Sequence, residues 1–229
     1  MAWFPALGDR STFLRQAANL WRIKQLIHQR WVAKRGARTA DGHIIDGFPI
    51  AVCKLVRAPR SHILPVEADY GYCAAKDEYY YGLKAHVLID LRGVIVGVTV
   101  TAANVDEREA AYDILQAIEG LLLGDKGYIR PQFKADGEAL GIDLQTPVRK
   151  NMKERRPRWW LKRLQRFRKR IETVISQLEQ HFRLAKTRTR DAWHLTNHVT
   201  RKMLAHTVGV WLNLQQGREP LELAGLVTA

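Results

Sequence analysis

Three acidic residues stand where acids are costly. Asp46 follows "HII" and Asp125 follows "LLLG", so each closes an apolar run of β character. Glu172 is the only acid between Arg155 and Leu178, a stretch dense in arginine and lysine. Taken alone, Glu172 has an ordinary explanation: an ion pair with Arg168, one helical turn away, worth about 0.3–0.5 kcal/mol. Taken together, the three fit one chemistry. Hard divalent cations take carboxylate oxygens. Two Mg²⁺ ions about 3.5–4 Å apart hold the attacking and leaving oxygens of an in-line displacement at a phosphodiester. Carboxylates gathered this way repel one another unless a cation or a raised pKa compensates. Asp90, after "HVLI", has the same look, but "LRG" and a further strand follow it, so a hairpin turn accounts for it.

These residues need elements to hold them. Residues 11 to about 35 carry Phe13, Leu14, Ala17, Leu20, Trp21, Ile27 and Trp31 at helical spacing, with Ser11 or Asp9 placed to cap the start. Residues 43–52 predict a short buried strand cut by Gly47 and Pro49, and 53–78 predict irregular chain. Two strands then meet at a tight turn, "DLRG". Residues 106 to about 118 predict a helix, with Asp106 and Glu109 as a capping box. A strand at "GLLLGD", a short helix at 131–140 and a strand near "IDLQTPV" follow. "RKNMKERRPR" is a loop, and 159 to about 182 is one long helix. Its apolar stripe is Leu164, Phe167, Ile171, Val174 and Leu178; Gln165, Arg168, Glu172 and Glu179 form the stripe beside it. A last helix covers about 194–214. The order predicts an α/β fold, a mixed sheet flanked by helices, and in such sheets sites gather at strand ends.

The charge is unevenly spread. The 229 residues carry a net charge of +14. Between Arg149 and Arg190 there are 16 Lys or Arg against three acids, so one 42-residue segment holds nearly all the excess. A localised positive stripe is the footprint of a polyanion, most often nucleic acid. It lacks the wide apolar face that a bilayer contact would need. The longest apolar runs are too short to span a membrane, and nothing at the N-terminus reads as a secretion signal. Cys53 and Cys73 do not form a CxxC pair and read as free thiols in a reducing cytosol.

The segments "IIDGFPIAVC", "GYCAAKDEYYYGLKAHVLID", "GDKGY" and "RKRIETVISQLEQHF" carry a resemblance. They resemble the Asp-Asp-Glu transposases of bacterial insertion sequences, most closely the family numbered 982, over nearly the whole chain. The resemblance implies a ribonuclease-H-like fold, with an N-terminal helix and C-terminal helices. It makes Asp46, Asp125 and Glu172 the metal-binding catalytic triad for two Mg²⁺ ions, with Mn²⁺ able to substitute. It implies cleavage of element ends and transfer of the freed 3′-hydroxyl to target DNA, by a homodimer on double-stranded DNA at the bacterial nucleoid. The implied domains are a helical remnant of a DNA-binding region at 1–40, a catalytic domain at 41–215 and a tail at 216–229. Arg168 matches the arginine of the signature around the glutamate. The chain departs from the pattern at Gln165, where related groups have Tyr, at Glu179, where they have Lys, and at Gly47, where serine is expected. The short N-terminal region reads as a truncated copy or a catalytic fragment.

Other residues are candidates for DNA contact. Lys84 and His86 share one strand face, belong to the family motif and are expected near a phosphate or the scissile bond. Arg149 and Lys150 open a loop dense enough in charge to order on DNA, and Arg168 and Lys169 lie on the long helix. Lys126 abuts Asp125 but is expected to point to the opposite face. His194 and His198 have metal-ligand spacing without a Cys or Glu partner, which argues against zinc. Trp159 and Trp160 are expected to anchor the start of the long helix rather than stack on a base. A ribonuclease-H-like nuclease without strand transfer, and an inactive DNA-binding derivative, remain as alternatives.

Overall fold

The computed structural model describes residues 9–224, apart from 75, 117 and 188, and residue 226. Two N-terminal helices, α1 (Arg10–Asn19) and α2 (Trp21–Lys34), stand where one long helix was expected. Asp9 caps α1 by accepting from the backbone N–H groups of Ser11 and Thr12. The break falls at Leu20. There Lys24 Nζ donates to the Ala17 carbonyl (2.5 Å) and to Asn197 Oδ1 (2.8 Å) of the last helix. The helix pair is thereby tied to the body of the molecule, with Trp31 against Trp211 at 5.2 Å between ring centres.

A mixed sheet of six strands follows: β1 (Gly42–Cys53), β2 (Asp69–Cys73), β3 (Glu78–Asp90), β4 (Ile95–Ala102), β5 (Gly120–Leu123) and β6 (Ile142–Gln145). β1 is central. It pairs antiparallel with β3 on one edge and parallel with β5 on the other, and β6 pairs parallel with β5. β2 and β4 follow one another along the outer edge of β3. β1 runs unbroken through Gly47 and Pro49, longer than the sequence predicts. The reason lies in its neighbour. β5 pairs only with Gly42–Ile44, so beyond Ile44 one edge of β1 has no partner strand, and a proline without an N–H is tolerated. β2 and a 3-10 turn at Leu55–Arg60 occupy a region expected to be irregular. β2 is short, lies at an edge and alternates exposed with half-buried residues, so it lacks the apolar signal of the central strands.

Helices α3 (Glu107–Leu115), α4 (Pro131–Ala139), α5 (Arg158–Gln180) and α6 (Ala192–Gln215) complete the fold. Period-two alternation along β1 feeds two cores. Ile44, Phe48 and Ile50 face Leu164, Ile171, Val174 and Leu178 of α5. Ile45 faces the other way, among Val32 of α2, Ala111 and Ile114 of α3, Phe133 of α4 and Val210 of α6. The result is a sheet covered by helices on both faces, compatible with the ribonuclease-H-like architecture.

Candidate active site

Register places the two aspartates together. Ile44 of β1 is paired with Leu123 of β5, and two residues on along each chain Asp46 and Asp125 are near enough for the charge of Asp125 to act on Asp46. β5 has ended by then, and Asp125 instead caps a one-turn 3-10 helix, accepting from Gly127 N–H at 2.6 Å. Asp46 shares the sheet face of Ile44 and accepts from its neighbour Gly47 N–H at 2.8 Å. Burial pushes Asp46 up to about 6. The Gly47 hydrogen bond opposes that, the Asp125 and Glu107 charges reinforce it, and Arg168 of α5 opposes it weakly. A carboxylate held partly protonated beside another, just past the end of the parallel pairing of β1 with β5, is a place prepared for positive charge.

Glu107 escapes a sequence reading. It is the first residue of α3, where an acid is ordinarily explained by the helix dipole. In the fold it comes around the end of β5 to the aspartates. A Cβ at Gly127 would run into Glu107 Oε2 and come within 2.9 Å of Asp125 Oδ1, so only a glycine lets both carboxylates pack against the backbone here. Glu107 is itself pushed up, first by burial and then by Asp125, and pulled back by Lys84. The Lys84 ammonium lies 3.7 Å from Glu107 Oε1. The available signal was the position of Glu107, one residue past a strand-to-helix junction at the same sheet end as Asp125.

Glu172 is on α5. Ile171 and Val174 turn α5 onto the sheet, which leaves Glu172 exposed. Arg168, one turn nearer the start of α5, is the α5 residue whose charge reaches Asp46. Among the described residues, no three of His, Cys, Asp and Glu stand close enough to hold a metal ion together. Asp46 and Asp125 supply carboxylate oxygens, the donors that a hard divalent cation takes.

The other candidates divide clearly. His86 is fully buried, its Nδ1 without a partner among the described residues, and burial lowers it to about 4. Arg149, Lys150 and Lys169 are exposed. Lys126 is exposed and lines, with Gly124, Arg156, Gln165 and Arg168, a cleft of about 370 Å³ beside Asp125. Asp90 is fully buried and does the work of a turn, accepting from the N–H groups of Arg92 and Val94 at 2.9 Å each and pairing with the Arg92 guanidinium. His194 pairs with Asp191, its own helix cap, and His198 reaches the Leu184 carbonyl. Trp160 packs on the core and Trp159 is exposed. Cys53 and Cys73 are free thiols.

A six-stranded mixed sheet flanked by helices, with a long helix rich in arginine and lysine packed on it, is an α/β architecture compatible with the ribonuclease-H-like fold. The family model described as "Transposase DDE domain" matches residues 36–192, more than half of the chain, and the chain belongs to that family. Transposases of this family act on DNA, and their DDE domains generally use divalent metal ions. A search of curated proteins finds no match. No helix among the described residues is long and apolar enough to cross a membrane.

Proposed function

We propose that the chain cuts DNA strands at the ends of an insertion element and joins the freed 3′-hydroxyls to target DNA, in a reaction that depends on Mg²⁺. The observation that carries this reading is that Asp46 of β1 and Asp125, just past the end of the neighbouring β5, lie close enough for their charges to act on each other, in a chain of the transposase DDE family. Asp46 and Asp125 would hold the cation, which when bound supplies charge neutralisation and Lewis acidity at the phosphodiester. A second ion follows from the resemblance. So does the role of Glu172, exposed on α5, as a ligand.

The remaining residues position DNA. Arg168 and Lys126 line the cleft next to Asp125 and would take backbone phosphates on either side of the scissile bond. Arg149, Lys150 and Lys169 extend that surface along the loop before α5 and along α5 itself. Lys84 is turned to Glu107, and His86 would need to be uncovered before it met DNA. Action as a homodimer at the nucleoid, and the division into a helical segment, a catalytic domain and a tail, belong to the same reading.

The test uses end-bearing DNA, Mg²⁺ and a target plasmid. Wild type is expected to nick and to join. Asp125→Asn and Asp46→Asn are expected to lose both by at least a hundredfold while still binding DNA. Nicking by Asp125→Asn at the wild-type rate would sink the mechanism, and nicking without joining by wild type would make the chain a nuclease.

A further inference from the structure

By the far end of α5, away from the aspartates, cations gather around a cavity of about 490 Å³. Lys186 and Arg190, on the segment between α5 and α6, line it with His194, His198 and Arg201 of α6. We propose that this cavity is a second DNA contact, in which Lys186, Arg190 and Arg201 hold backbone phosphates other than the scissile one. The proposal rests on the reading of the chain as one that acts on DNA, and it does not depend on which residues hold a metal.

The first observation is charge without compensation. Among the described residues, no ion pair engages Lys186, Arg190 or Arg201, nor the neighbouring Lys24, Arg183 and Lys202. The acid that lines the cavity, Asp191, is committed to α6: it accepts from the backbone N–H of His194 at 2.8 Å and pairs with the His194 ring. Burial first, and then the charge of Arg201, lowers both Lys24 and Lys202. Cations gathered in this way repel one another, and the N-terminal end of α6 adds the positive pole of its dipole. A polyanion supplies the negative charge that the fold leaves out. The second observation is that the surroundings are fixed. Lys24 Nζ is held by the Ala17 carbonyl and Asn197 Oδ1, Lys202 Nζ by the Phe182 carbonyl, and the His198 ring by the Leu184 carbonyl at 3.2 Å. Arg183 turns the chain out of α5 at φ 51, a left-handed conformation that glycine adopts at less cost, and the residue there is nevertheless a cation. Against this fixed background Lys186, Arg190 and Arg201 are exposed. Such a site suits phosphates, which position DNA without reading its sequence. No Phe, Tyr, Trp, Leu, Ile or Val lines the cavity among the described residues, so a nucleobase finds no apolar wall, which favours a DNA backbone over a free nucleotide. Position separates it from the catalytic cleft. Arg168 lines that cleft, and from Arg168 to Gln180 the helix rises about 18 Å. The cavity stands by Phe182 and Leu184, past that end, so it meets other phosphates than the one at the aspartates.

Binding of the full chain to duplex DNA is followed by fluorescence anisotropy over a range of NaCl concentrations, in chelator, so that no metal at the aspartates contributes. Lys186→Gln, Arg190→Gln and Arg201→Gln are each expected to weaken binding several-fold and to lower the salt slope by about 0.9. Arg201→Lys keeps the charge and is expected to bind close to wild type, which separates loss of charge from loss of fold. Arg218→Gln, an exposed arginine beyond the other end of α6, is expected to change neither affinity nor slope. Pyrophosphate titrated by calorimetry tests a small phosphate compound as the occupant, and binding no tighter than millimolar is expected. Micromolar pyrophosphate binding that Arg201→Gln abolishes while DNA binding stays at the wild-type level would make the cavity a small-anion site and overturn the proposal. Wild-type affinity and slope in all three Gln variants overturns it too. If Asp125→Asn still loses nicking in that case, the functional reading stands without the cavity. If wild type binds no duplex DNA, both fail.

Discussion

Asp46 titrates against the usual direction for a stabilising carboxylate. Folded, it holds its proton to about pH 6; unfolded, it releases it near 3.8. Between those values the folded chain binds more protons than the unfolded one, so stability falls as pH rises through the window. Metal-free Asp46→Asn is therefore expected to be more stable than wild type at pH 7, by about 1–3 kcal/mol, with the gap closing at pH 4. Urea unfolding in chelator at both pH values measures this, and an equal gap at both would show that the charge is not the cause. Added Mg²⁺ is expected to stabilise wild type and not the variant. The aspartates were legible in the sequence because a bare acid at the end of a buried strand has few ordinary explanations. Glu107 was not, because an acid in the first turn of a helix has one. Glu172 marks the limit of periodicity. Neighbouring positions on a helix differ by about 100°, and with Ile171 and Val174 turned inward, Glu172 falls on the open side.

At the scale of elements, α5 repays attention for where its charges lie. It begins with Arg158 and has no acid in its first turn, against the preference of a helix N-terminus for negative charge. Cations placed there do not help the helix, and the proposed DNA contact would supply the anion they lack. Lys162, Arg166 and Lys169 are exposed. Replacing each with Gln is expected to reduce the salt slope of DNA binding, log Kd against log salt, by about 0.9 per residue, and to leave helix content unchanged. Fluorescence anisotropy with duplex DNA between 50 and 200 mM NaCl reads the slope, and three variants with the wild-type slope would place DNA elsewhere. The long elements were readable because their apolar periods persist: α5, α6, and the β3–β4 pair closed by Asp90. β2 and the break at Leu20 were not. A five-residue edge strand has little period to read, and the helix break depends on Lys24 reaching Asn197, a partner far along the chain.

For the whole molecule, the buried histidines make the fold sensitive to acid. Burial holds His28, His86 and His198 down to about 4 and His206 to about 3. They lie under different elements: α2, β3 and two positions along α6. Unfolded, each takes a proton near 6.5, so below that pH the unfolded chain binds more protons than the folded one. Their contribution is intact above 6.5 and is lost as pH falls toward 4. Each is worth up to about 1.4 kcal/mol per pH unit, and four together up to about 5, so one or two units of acidification can offset the 5–15 kcal/mol typical of a domain. Asp46 opposes this by a single proton. The urea midpoint is therefore expected to fall steeply from pH 6.5 to 5. Among the described residues His206 bonds only to Gln177, at 3.0 Å, and it is fully buried, so His206→Gln is expected to make the fall shallower by about one proton even if it lowers stability at pH 7.5. An unchanged proton uptake in that variant would move the acid sensitivity to the carboxylates. Were the histidines responsible, DNA cleavage assayed below about pH 5.5 would report loss of the fold, whereas the protonation of Asp46 belongs to the same range and would act with the fold intact. Circular dichroism recorded beside each cleavage rate separates the two.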